Sequence, residues 1–587
     1  MIGINQVVWD PATNTLHAES DELLDQHTRY ALIVTRGARD LLGDPVEASE
    51  AFKRFRHLLN FGHTKDPELK LYRLSLLEAL WRASWAAGIH LHDIVAASVF
   101  TTQSATAILE KIRDQIKADI PALADFNLGP GGSTTIFPLS TVTGIVKNEQ
   151  RSTVLPLTPA PVLAFAALTV YPGVGTLAFG KYASPDYETA DKFIPAVGTR
   201  TGVPAVQSIN DIYFNLFLPA GAPPPGGWPV AIFGHGFTDT KDNSPFVVAS
   251  RMAANGIATI AINVVGHGRG PLSTLTVNRS VADGGPVTFL AGGRGIDQNG
   301  NTVIDTTEGS SAAPPRGIIG SRDGLRQTVV DLMQLTRLIE TGGIPDLDPW
   351  RVYYFGQSFG GIYGTKFLAV EPSIRAGVPN VPGGSIIEIT RLSPVFRPLL
   401  GLALAARIPS LINVGGIVFN ENLPLRDQPP VINAVVGAME IQEVIDNNEW
   451  VTQSGNPVAY GPHIRKDPLD GMDPKPVIFQ FAFGGQTVPN PTTTAILRAG
   501  DLADRATYFR NDLARAVVPA LPANPHTFLT GVLDIRAPIS ISAQQQIATF
   551  FVSGGAVTID PDSLGLFPAA VFETPIVPPL PEVVNFP

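Results

Sequence analysis

The chain has 587 residues, of which 44% are hydrophobic and 16% charged, and its formal net charge at pH 7 is −10. This length exceeds what one compact core usually supports, so two or three domains are expected. The negative charge argues against a nucleic-acid-binding surface, and the absence of cysteine excludes disulfides and cysteine-based zinc sites.

The start of the chain bears on targeting. Residues 1–10 lack both the charged beginning and the apolar centre of a secretory leader, which predicts either a cytosolic protein or a mature chain whose leader has been removed. Residues 398–419 form the most apolar stretch, but Arg407, Pro409 and several glycines make it a poor membrane span. We interpret it as a buried or interfacial segment.

The first third of the chain, residues 1–200, is predicted to be an accessory domain without a catalytic pattern. Residues 30–35 predict a strand, and residues 66–87 and 104–116 have the spacing of amphipathic helices. Residues 168–171 predict a further strand in a stretch rich in proline and glycine. We expect this region to precede the catalytic domain or to pack on it.

From residue 201 to residue 570 the pattern alternates between strand and helix, which predicts a mostly parallel sheet with helices on both faces. The predicted strands are residues 211–218, 229–233, 256–265, 351–355, 375–379 and 476–483. Residues 323–340 predict an amphipathic helix that leads to the strand at 351–355. Residues 571–587 are proline-rich and are predicted to be a C-terminal tail.

Residues 356–360, Gly-Gln-Ser-Phe-Gly, form a G-x-S-x-G turn between a predicted strand and a predicted helix. This arrangement is the nucleophile elbow of α/β-hydrolases. The turn holds its central residue in strained backbone dihedrals, which small residues on both sides permit. Ser358 is therefore the candidate nucleophile.

Residues 234–237, Gly-His-Gly-Phe, follow a predicted strand upstream of the serine, where such folds place half of an oxyanion hole. The expected donors are the backbone N–H groups of Phe237 and Phe359. His235 is expected to order this loop and not to act as the base, since it precedes Ser358. A simple glycine turn is the alternative.

The catalytic base should be a histidine downstream of Ser358, and two residues qualify, His463 and His526. His526 precedes the last predicted helix, which is where this fold places its base, whereas His463 lies in a proline-rich segment before the strand at 476–483. His526 is therefore the predicted base. A second Gly-His-Gly, at residues 266–268, is predicted to be a structural turn at the rim of the site.

The acid of a catalytic triad should follow the strand at 476–483, but the sequence there contains Gly485 and no carboxylate. Other aspartates in this part of the chain come before the strand or too late after it. Glu388, which follows the preceding strand, is an alternative acid. Without an orienting carboxylate the histidine would be poorly positioned, and catalysis slower by orders of magnitude.

A twelve-residue loop at 297–308 has oxygen-bearing residues at the positions used by calcium loops of the EF-hand type. We expect it to bind a structural Ca²⁺; a simple Asx-turn loop is the alternative. Thr302 occupies position 6, where glycine is normal, and this substitution would distort the turn or weaken binding. The candidate ligands are Asp297, Asn299, Asn301, Val303, Asp305 and Glu308.

An insertion of about ninety residues, at about 385–470, separates two predicted strands and has an apolar centre at 399–419. Its position favours a cap or lid over Ser358, and a plain helical subdomain is the alternative. Either structure would give the site apolar walls, which favour acyl-chain or bulky ester substrates.

These motifs resemble bacterial extracellular lipases of the virulence-factor type, related to the outer-membrane lysophospholipase of vibrios. The resemblance spans most of the chain: residues 37–52, 94–107, 180–187, 263–268, 322–338, 356–361, 380–384, 486–493 and 526–529. It implies a secreted or surface-bound carboxylic-ester hydrolase with an Ig-like N-terminal part, and with Ser358 and His526 as catalytic residues. Similar proteins carry aspartate where this chain has Gly485, which implies an acid from elsewhere, a weakened enzyme or an engineered substitution.

The sequence therefore predicts an α/β-hydrolase catalytic domain with an N-terminal accessory domain, partly Ig-like β and partly helical, and a cap or lid insertion. The predicted function is a serine hydrolase of lipid or other apolar esters, with lipid-interface contact and no organic cofactor or nucleic-acid partner. A catalytically impaired α/β-hydrolase that serves as a binding or surface protein and a serine peptidase of the same fold are the alternatives.

Overall fold

The computed structural model describes residues 2–40, 42–57 and 65–586. The chain folds into two compact units, one made of residues 1–5 and 19–104 and the other of residues 6–18 and 105–587. The predicted boundary at residue 200 falls inside the second unit. Residues between 105 and 200 belong there because two of their strands are part of its main sheet.

Nineteen strands occur among the described residues. They are β1 (Ile4–Asp10), β2 (Thr15–Ser20), β3 (Arg29–Thr35), β4 (Ile94–Thr101), β5 (Ile136–Pro138), β6 (Val142–Glu149), β7 (Thr158–Pro161), β8 (Val174–Asp186), β9 (Ser208–Pro219), β10 (Trp228–Gly234), β11 (Ala258–Ile262), β12 (Thr274–Arg279), β13 (Val287–Leu290), β14 (Leu347–Gln357), β15 (Ile374–Asn380), β16 (Val431–Ile432), β17 (Phe479–Ala482), β18 (Ala506–Phe509) and β19 (Phe572–Glu573).

The same part of the chain forms fourteen α-helices. They are α1 (Glu50–Arg56), α2 (Pro67–Ala87), α3 (Ala107–Ala118), α4 (Ala166–Val170), α5 (Ser244–Ala254), α6 (Gly317–Glu340), α7 (Phe359–Val370), α8 (Ile386–Leu392), α9 (Arg397–Ala405), α10 (Ala438–Thr452), α11 (Pro462–Arg465), α12 (Asn490–Ala499), α13 (Asn511–Val517) and α14 (Ala537–Val552). None of the described helices combines the length and the apolar character that a membrane crossing requires.

The smaller unit contains the antiparallel pair β3–β4 and helices α1 and α2. Helix α2 begins where the side chain of Asp66 accepts hydrogen bonds from two backbone N–H groups, and it ends at Gly88 with a φ of 67°. Its buried residues Leu76 and Leu80 pack with Ile94 of β4. The two described strands that lie wholly within this unit, β3 and β4, form a two-stranded sheet, and the expected Ig-like part is not confirmed.

The larger unit is built on a ten-stranded sheet with the order β19-β18-β17-β15-β14-β10-β11-β9-β8-β5. The six strands from β18 to β11 are parallel to one another, and β19, β9, β8 and β5 extend the sheet with antiparallel neighbours. Gly234 pairs with Gly356, and Gln357 pairs with Asn380. The carboxyl ends of β10, β14 and β15 therefore lie side by side.

Two apolar clusters cover the faces of this sheet. Leu325 and Val329 of α6 and Phe367 of α7 belong to one cluster, which also contains inward residues of the parallel strands. Val248 of α5 and Phe551 of α14 belong to the other cluster. The helices thus lie on both sides of the sheet, as the alternating pattern predicts.

Two local expectations are corrected. Residues 168–171 were expected to form a strand, but α4 covers most of them, because a short apolar run does not distinguish a buried helix from a strand by itself. Residues 571–587 were expected to be a tail, but β19 pairs with β18, and the Asn585 side chain contacts the turn after β17. The end of the chain is therefore part of the larger unit.

The insertion between β15 and β17 contains α8, α9, β16, α10 and α11. The first residues of the larger unit reach this insertion, since β1 pairs with β16 and brings Val8 beside Val431. The Asn433 side chain also donates a hydrogen bond of 3.0 Å to Asp10, a residue 423 positions earlier.

Candidate active site

Ser358 lies at the turn between β14 and α7, with a φ of 59° and a ψ of −117°. A β-carbon at Gly356 would come 2.6 Å from the Gly360 carbonyl oxygen, and one at Gly360 would overlap the Gly234 carbonyl oxygen. Only glycine fits these two positions, so the sequence pattern and the strained turn have the same steric cause. The turn is the nucleophile elbow of an α/β-hydrolase fold.

The structure brings the predicted nucleophile and base together. The His526 Nε2 atom lies 2.7 Å from the Ser358 Oγ atom, although the two residues are 168 positions apart. The Asn524 side chain accepts the His526 N–H at 3.3 Å, and the Gln357 side chain donates to the His526 carbonyl at 3.0 Å. The backbone of His526 is thus fixed on both sides.

The protonation of His526 follows from its surroundings. Burial lowers the pKa of His526 to about 4, and no charged group among the described residues contributes to this pKa. The ring is therefore neutral at pH 7, and a proton on Nδ1 leaves Nε2 free to accept the Ser358 proton. The Nδ1 atom is buried and has no hydrogen-bond partner in the described part of the chain.

Glu388 does not supply the missing acid. Its two carboxylate oxygens accept hydrogen bonds of 2.6 and 2.9 Å from the Arg391 guanidinium, one turn along α8. The alternative that made Glu388 the third member of a triad is therefore wrong. The reason is local: an arginine three residues along a helix is a near neighbour, and it takes up both carboxylate oxygens.

The place where the acid was expected is filled by backbone. A β-carbon at Gly485 would come 2.8 Å from the Val488 carbonyl oxygen. The neighbouring Gln486 N–H donates to Asn524 at 3.2 Å, and the Gly484 N–H donates to Asn585 at 3.0 Å. Sequence analysis did not single out Asn524, and its position two residues before His526, typical of an Asx turn, was the available signal.

The loop predicted to form half of an oxyanion hole lies against the nucleophile. A β-carbon at Gly236 would come 3.6 Å from the Ser358 Cβ atom, which places the loop backbone beside the hydroxyl. The Phe359 N–H is the first of helix α7, and the first N–H groups of a helix have no intrahelical acceptor. The loop backbone at Gly236 and the first N–H of α7 thus lie next to Ser358, and the roles of the Phe237 and Phe359 amides as oxyanion donors stay a prediction.

His235 orders this loop, as predicted. Its Nδ1 atom lies 2.9 Å from the Gly236 carbonyl oxygen, and its Nε2 atom accepts the Val264 N–H at 3.3 Å. The side chain is fully buried, and burial lowers the pKa of His235 to about 4. His235 is thus a neutral part of the scaffold.

His267 was expected at the rim of the site but is fully buried, which corrects that expectation. Its ring centroid lies 5.6 Å from that of Phe237 and 5.8 Å from that of Phe359. Burial, reinforced by His235, lowers the pKa of His267 to about 3. The ring thus packs as a neutral member of the aromatic group behind the two predicted oxyanion donors.

The insertion contacts the loop after β10 through an aromatic pair and borders an apolar cavity. The Phe396 ring, which precedes α9, lies 6.3 Å from the ring of Phe237, a residue that is 37% exposed. A cavity of about 180 Å³ lies between α6 and the insertion helices. Its mostly apolar lining includes Ile318, Leu325, Ile386, Ile387, Leu399 and Leu400.

The loop at 297–308 offers oxygen atoms with the chemistry that calcium prefers. The Asp297 Oδ1 atom is buried and lacks a hydrogen-bond partner among the described residues, and its Oδ2 atom accepts the Thr302 N–H at 2.9 Å. Thr302 has a φ of 70°, which lies in the left-handed region of backbone conformation. Calcium loops of this type normally have glycine at this position, because glycine adopts that region without strain. The orphaned oxygen fits a cation.

Other candidate ligands of this loop are engaged. Glu308 accepts hydrogen bonds from the N–H groups of Gln298, Asn299 and Asp305, at 2.8, 3.2 and 3.1 Å. The side chains of Asn299 and Asn301 accept backbone N–H groups within the loop. No group of three His, Asp or Glu side chains arranged for a metal occurs in the described ranges. Glu308 Oε1 already accepts two N–H groups and Oε2 one, so Ca²⁺ would bind through the remaining lone pair of Oε2 or displace these hydrogen bonds.

Comparisons with known proteins give structural likeness alone. No protein-family description and no curated protein matches the chain. An acetyl xylan esterase from Paenibacillus sp. R4 is similar in structure at 12% identity over 68% of this chain and 86% of that one, with a TM-score of 0.33. An esterase from Pyrobaculum calidifontis is similar at 12% identity over 68% and 91%, with a TM-score of 0.30.

An acylaminoacyl peptidase from Pyrococcus horikoshii is also similar, at 10% identity over 69% of this chain and 47% of that one, with a TM-score of 0.32. These likenesses are too remote to assign an activity or a substrate. The resemblance to virulence-factor lipases is not shown by any of them.

Proposed function

We propose that this protein is a serine carboxylic-ester hydrolase that acts on lipid or other apolar esters. The observation that carries this proposal is the distance of 2.7 Å between Ser358 Oγ and His526 Nε2, at a serine held in the strained conformation of a nucleophile elbow. A neutral imidazole at this distance is a general base in position.

The mechanism follows from this geometry. The Ser358 Oγ atom attacks the ester carbonyl carbon while His526 Nε2 takes the hydroxyl proton. The N–H groups of Phe237 and Phe359 stabilise the resulting oxyanion, and one such donor is typically worth about 3–4 kcal/mol. His526 returns the proton to the departing alcohol, which leaves an acyl-enzyme. Water then attacks the acyl carbon with His526 as base, and the acid is released.

An apolar substrate is supported by the surroundings of the serine. The Phe237 ring packs against the rings of Phe359 and Phe396, and these three rings form an apolar side of the site. The contact between Phe396 and Phe237 also supports the proposal that the insertion acts as a cap over the serine. The proposed secreted or cell-surface location, and contact with a lipid interface, stay predictions.

The test is hydrolysis of p-nitrophenyl esters of increasing chain length. We expect Ser358→Ala and His526→Gln to abolish turnover. His463→Gln is the matched control, because His463 is the other histidine downstream of the serine and its Nδ1 atom lies 2.6 Å from the Asp467 carbonyl oxygen. Equal loss in both histidine variants, or turnover that survives Ser358→Ala, would refute the mechanism.

A catalytically impaired hydrolase that binds ligands is the second candidate. The observation that favours it is the His526 Nδ1 atom, which has no acceptor in the described part of the chain. A fluorophosphonate probe separates the two candidates. Labelling of the parent but not of Ser358→Ala supports the esterase, and absence of labelling in both supports a binding protein.

We also propose that the loop at 297–308 binds one Ca²⁺ with a structural role. Asp297 would be the first ligand, with Asn299, Asn301, the Val303 carbonyl, Asp305 and Glu308 as the other donors. The test is the unfolding temperature with added Ca²⁺ or with a chelator. We expect Ca²⁺ to raise it in the parent and not in Asp297→Asn; an equal response in both proteins would contradict the site.

A further inference from the structure

Strand β6 carries a lysine on its buried face. Lys147 follows Ile145 by two residues, so both side chains point to the same side of the strand. Ile145 belongs to an apolar cluster, and Lys147 is only 4% exposed. The strand lies in a four-stranded sheet that is separate from the main sheet, with the order β13-β12-β6-β7. A buried ammonium group is costly unless it is paired, so the partner of Lys147 indicates what this residue does.

The partner is Asp242, in the loop between β10 and α5. The Lys147 Nζ atom lies 2.9 Å from the Asp242 Oδ2 atom, and Lys241 Nζ donates to Asp242 Oδ1 at 2.7 Å. Lys241 and Asp242 are 1% and 3% exposed. Burial opposes the ionisation of Asp242, but the two ammonium groups outweigh burial and hold the pKa of this carboxyl below its usual range. Asp242 is therefore a buried carboxylate between two lysines.

The backbone of this end of the loop is attached to the main sheet as well. The Asn215 side chain of β9 donates to the Lys241 carbonyl at 2.9 Å and to Asp242 Oδ1 at 3.1 Å. The Asn263 side chain, which follows β11, accepts the Lys241 N–H at 3.0 Å. Lys147 comes from the four-stranded sheet, so residues 241–242 are anchored to two separate sheets.

The same loop is strained next to its predicted oxyanion donor. Thr238, the residue after Phe237, has a φ of 68°, a region that β-branched residues rarely adopt. Such strain persists only where the surrounding structure over-determines the backbone. The anchored residues Lys241 and Asp242 follow Thr238 by three and four positions. Their attachments are thus close enough along the chain to hold the strained backbone.

We propose that Lys147 and Asp242 are positioning residues that keep the Phe237 N–H directed at the oxyanion beside Ser358. This proposal rests on the proposed function, in which that N–H stabilises the oxyanion. The oxyanion forms only after the serine attacks, so a displaced donor weakens transition-state binding and leaves ester binding almost unchanged. The four-stranded sheet thereby contributes to catalysis through Lys147.

The test is kcat and KM of Lys147→Met, which removes the charge and keeps an unbranched side chain. Asp242 keeps Lys241 as its partner in this variant, so its carboxylate is not left unpaired. Loss of a whole oxyanion donor typically lowers kcat by about 10²–10³, and a displaced donor costs less. We expect kcat to fall about tenfold to a hundredfold while KM stays within about threefold.

The value of kcat is expressed per reactive serine, counted by fluorophosphonate labelling taken to completion. This count removes the effect of a smaller folded fraction, which is all that a purely structural role of Lys147 would produce.

Lys117→Met is the matched control, because it breaks another buried ion pair. The Lys117 Nζ atom lies 2.7 Å from Glu371 Oε1, and Glu371 is fully buried. Glu371 lies twelve residues after Phe359, at the far end of α7, which is about 18 Å along the helix axis. This variant should lower the unfolding temperature and leave kcat per reactive serine unchanged.

Two further variants test the loop itself. Asn263→Ala removes the acceptor of the Lys241 N–H and leaves the lysines and Asp242 in place, so it should lower kcat in the same way. This variant decides the question if Lys147→Met does not fold. Thr238→Gly removes the strain, because glycine adopts a positive φ freely. The fold-loss of kcat caused by Lys147→Met should therefore be smaller when Thr238→Gly is also present.

A kcat per reactive serine within about twofold of the parent in Lys147→Met and in Asn263→Ala would overturn the proposal. Equal losses in Lys147→Met and Lys117→Met would overturn it too, and a loss that Thr238→Gly does not reduce would overturn the role of the strained residue. Failure of the proposed function is a different result: turnover of the parent that survives Ser358→Ala.

Discussion

The absence of a carboxylate beside His526 predicts an unusual pH dependence of hydrolysis. In a complete triad the acid stabilises the imidazolium and keeps the pKa of the histidine from falling. Here burial lowers the pKa of His526 to about 4, and nothing charged in the described part of the chain opposes it. The base is neutral, and thus active, above that pH, and activity is lost only as the pH falls through about 4.

The expected effect is large enough to distinguish a His526 with a lowered pKa from a histidine with an ordinary pKa. With a pKa of about 4, roughly nine-tenths of His526 is neutral at pH 5, whereas with the unperturbed value of 6.5 about 3% would be neutral. The value of kcat/KM at pH 5 should therefore stay within about 10% of its plateau. An ordinary histidine would lower it about thirtyfold.

The assay is kcat/KM for a short-chain ester between pH 4 and pH 8, followed by product chromatography so that the ionisation of the leaving group does not matter. The kcat/KM profile reports groups of the free enzyme. Circular dichroism at each pH separates loss of the base from unfolding. A fall of activity centred between pH 6 and pH 7, in folded protein, would refute the reasoning. It would mean that an acceptor stabilises the imidazolium after all.

Three further predictions concern the surroundings of the site. Gly485→Ala and Gly485→Asp should both lower the unfolding temperature, because the added β-carbon meets a carbonyl oxygen 2.8 Å away; the expected loss of unfolding free energy is about 1–3 kcal/mol. Only Gly485→Asp should also shift the acid limb of the activity profile to higher pH, because a carboxylate beside His526 would raise its pKa. His235 and His267 are fully buried, with pKa values of about 4 and about 3 in the folded protein. As the pH falls, both residues therefore bind a proton in the unfolded chain before they do so in the folded protein. Their contribution to stability is therefore present above about pH 6.5 and is lost as the pH falls towards 4, by about 1.4 kcal/mol per pKa unit. Urea unfolding across this range measures it, and a flat profile would contradict it. Gly360→Ala should abolish activity and lower stability. Gly317→Ala should do neither, because its β-carbon would lie 3.6 Å from the nearest atom, the Ala312 carbonyl oxygen. Equal activity and melting temperature in both variants would contradict the steric argument.

The parts of the fold that depend on local pattern were predictable. The strand before Ser358, the glycine-flanked turn and the helix after it are set by neighbouring residues, and the structure has them as β14, the elbow and α7. His526 was identifiable because chain order restricts the base to the histidines after the serine. These features needed no knowledge of distant contacts.

Features that depend on distant partners were not predictable in the same way. β5 and β8 join the main sheet through antiparallel pairing, and their sequence does not reveal which sheet they extend. The hydrogen bond from the Gln486 N–H to Asn524, which joins the turn after β17 to the loop of His526, depends on the meeting of two separate loops. By contrast, the i, i+3 spacing of Glu388 and Arg391 was visible, and it could have removed Glu388 from the candidate acids.

The pairing of β1 with β16 has a consequence for the biosynthesis of the chain. Asp10 cannot meet Asn433 until the residue 423 positions later has been made. At about 5–20 residues per second, this interval lasts on the order of tens of seconds. During that time the edge of β1 has no strand from the insertion to pair with, and an unpaired edge can pair with another nascent chain. Slow translation, or a high density of ribosomes on one message, should therefore raise aggregation of this protein in cells.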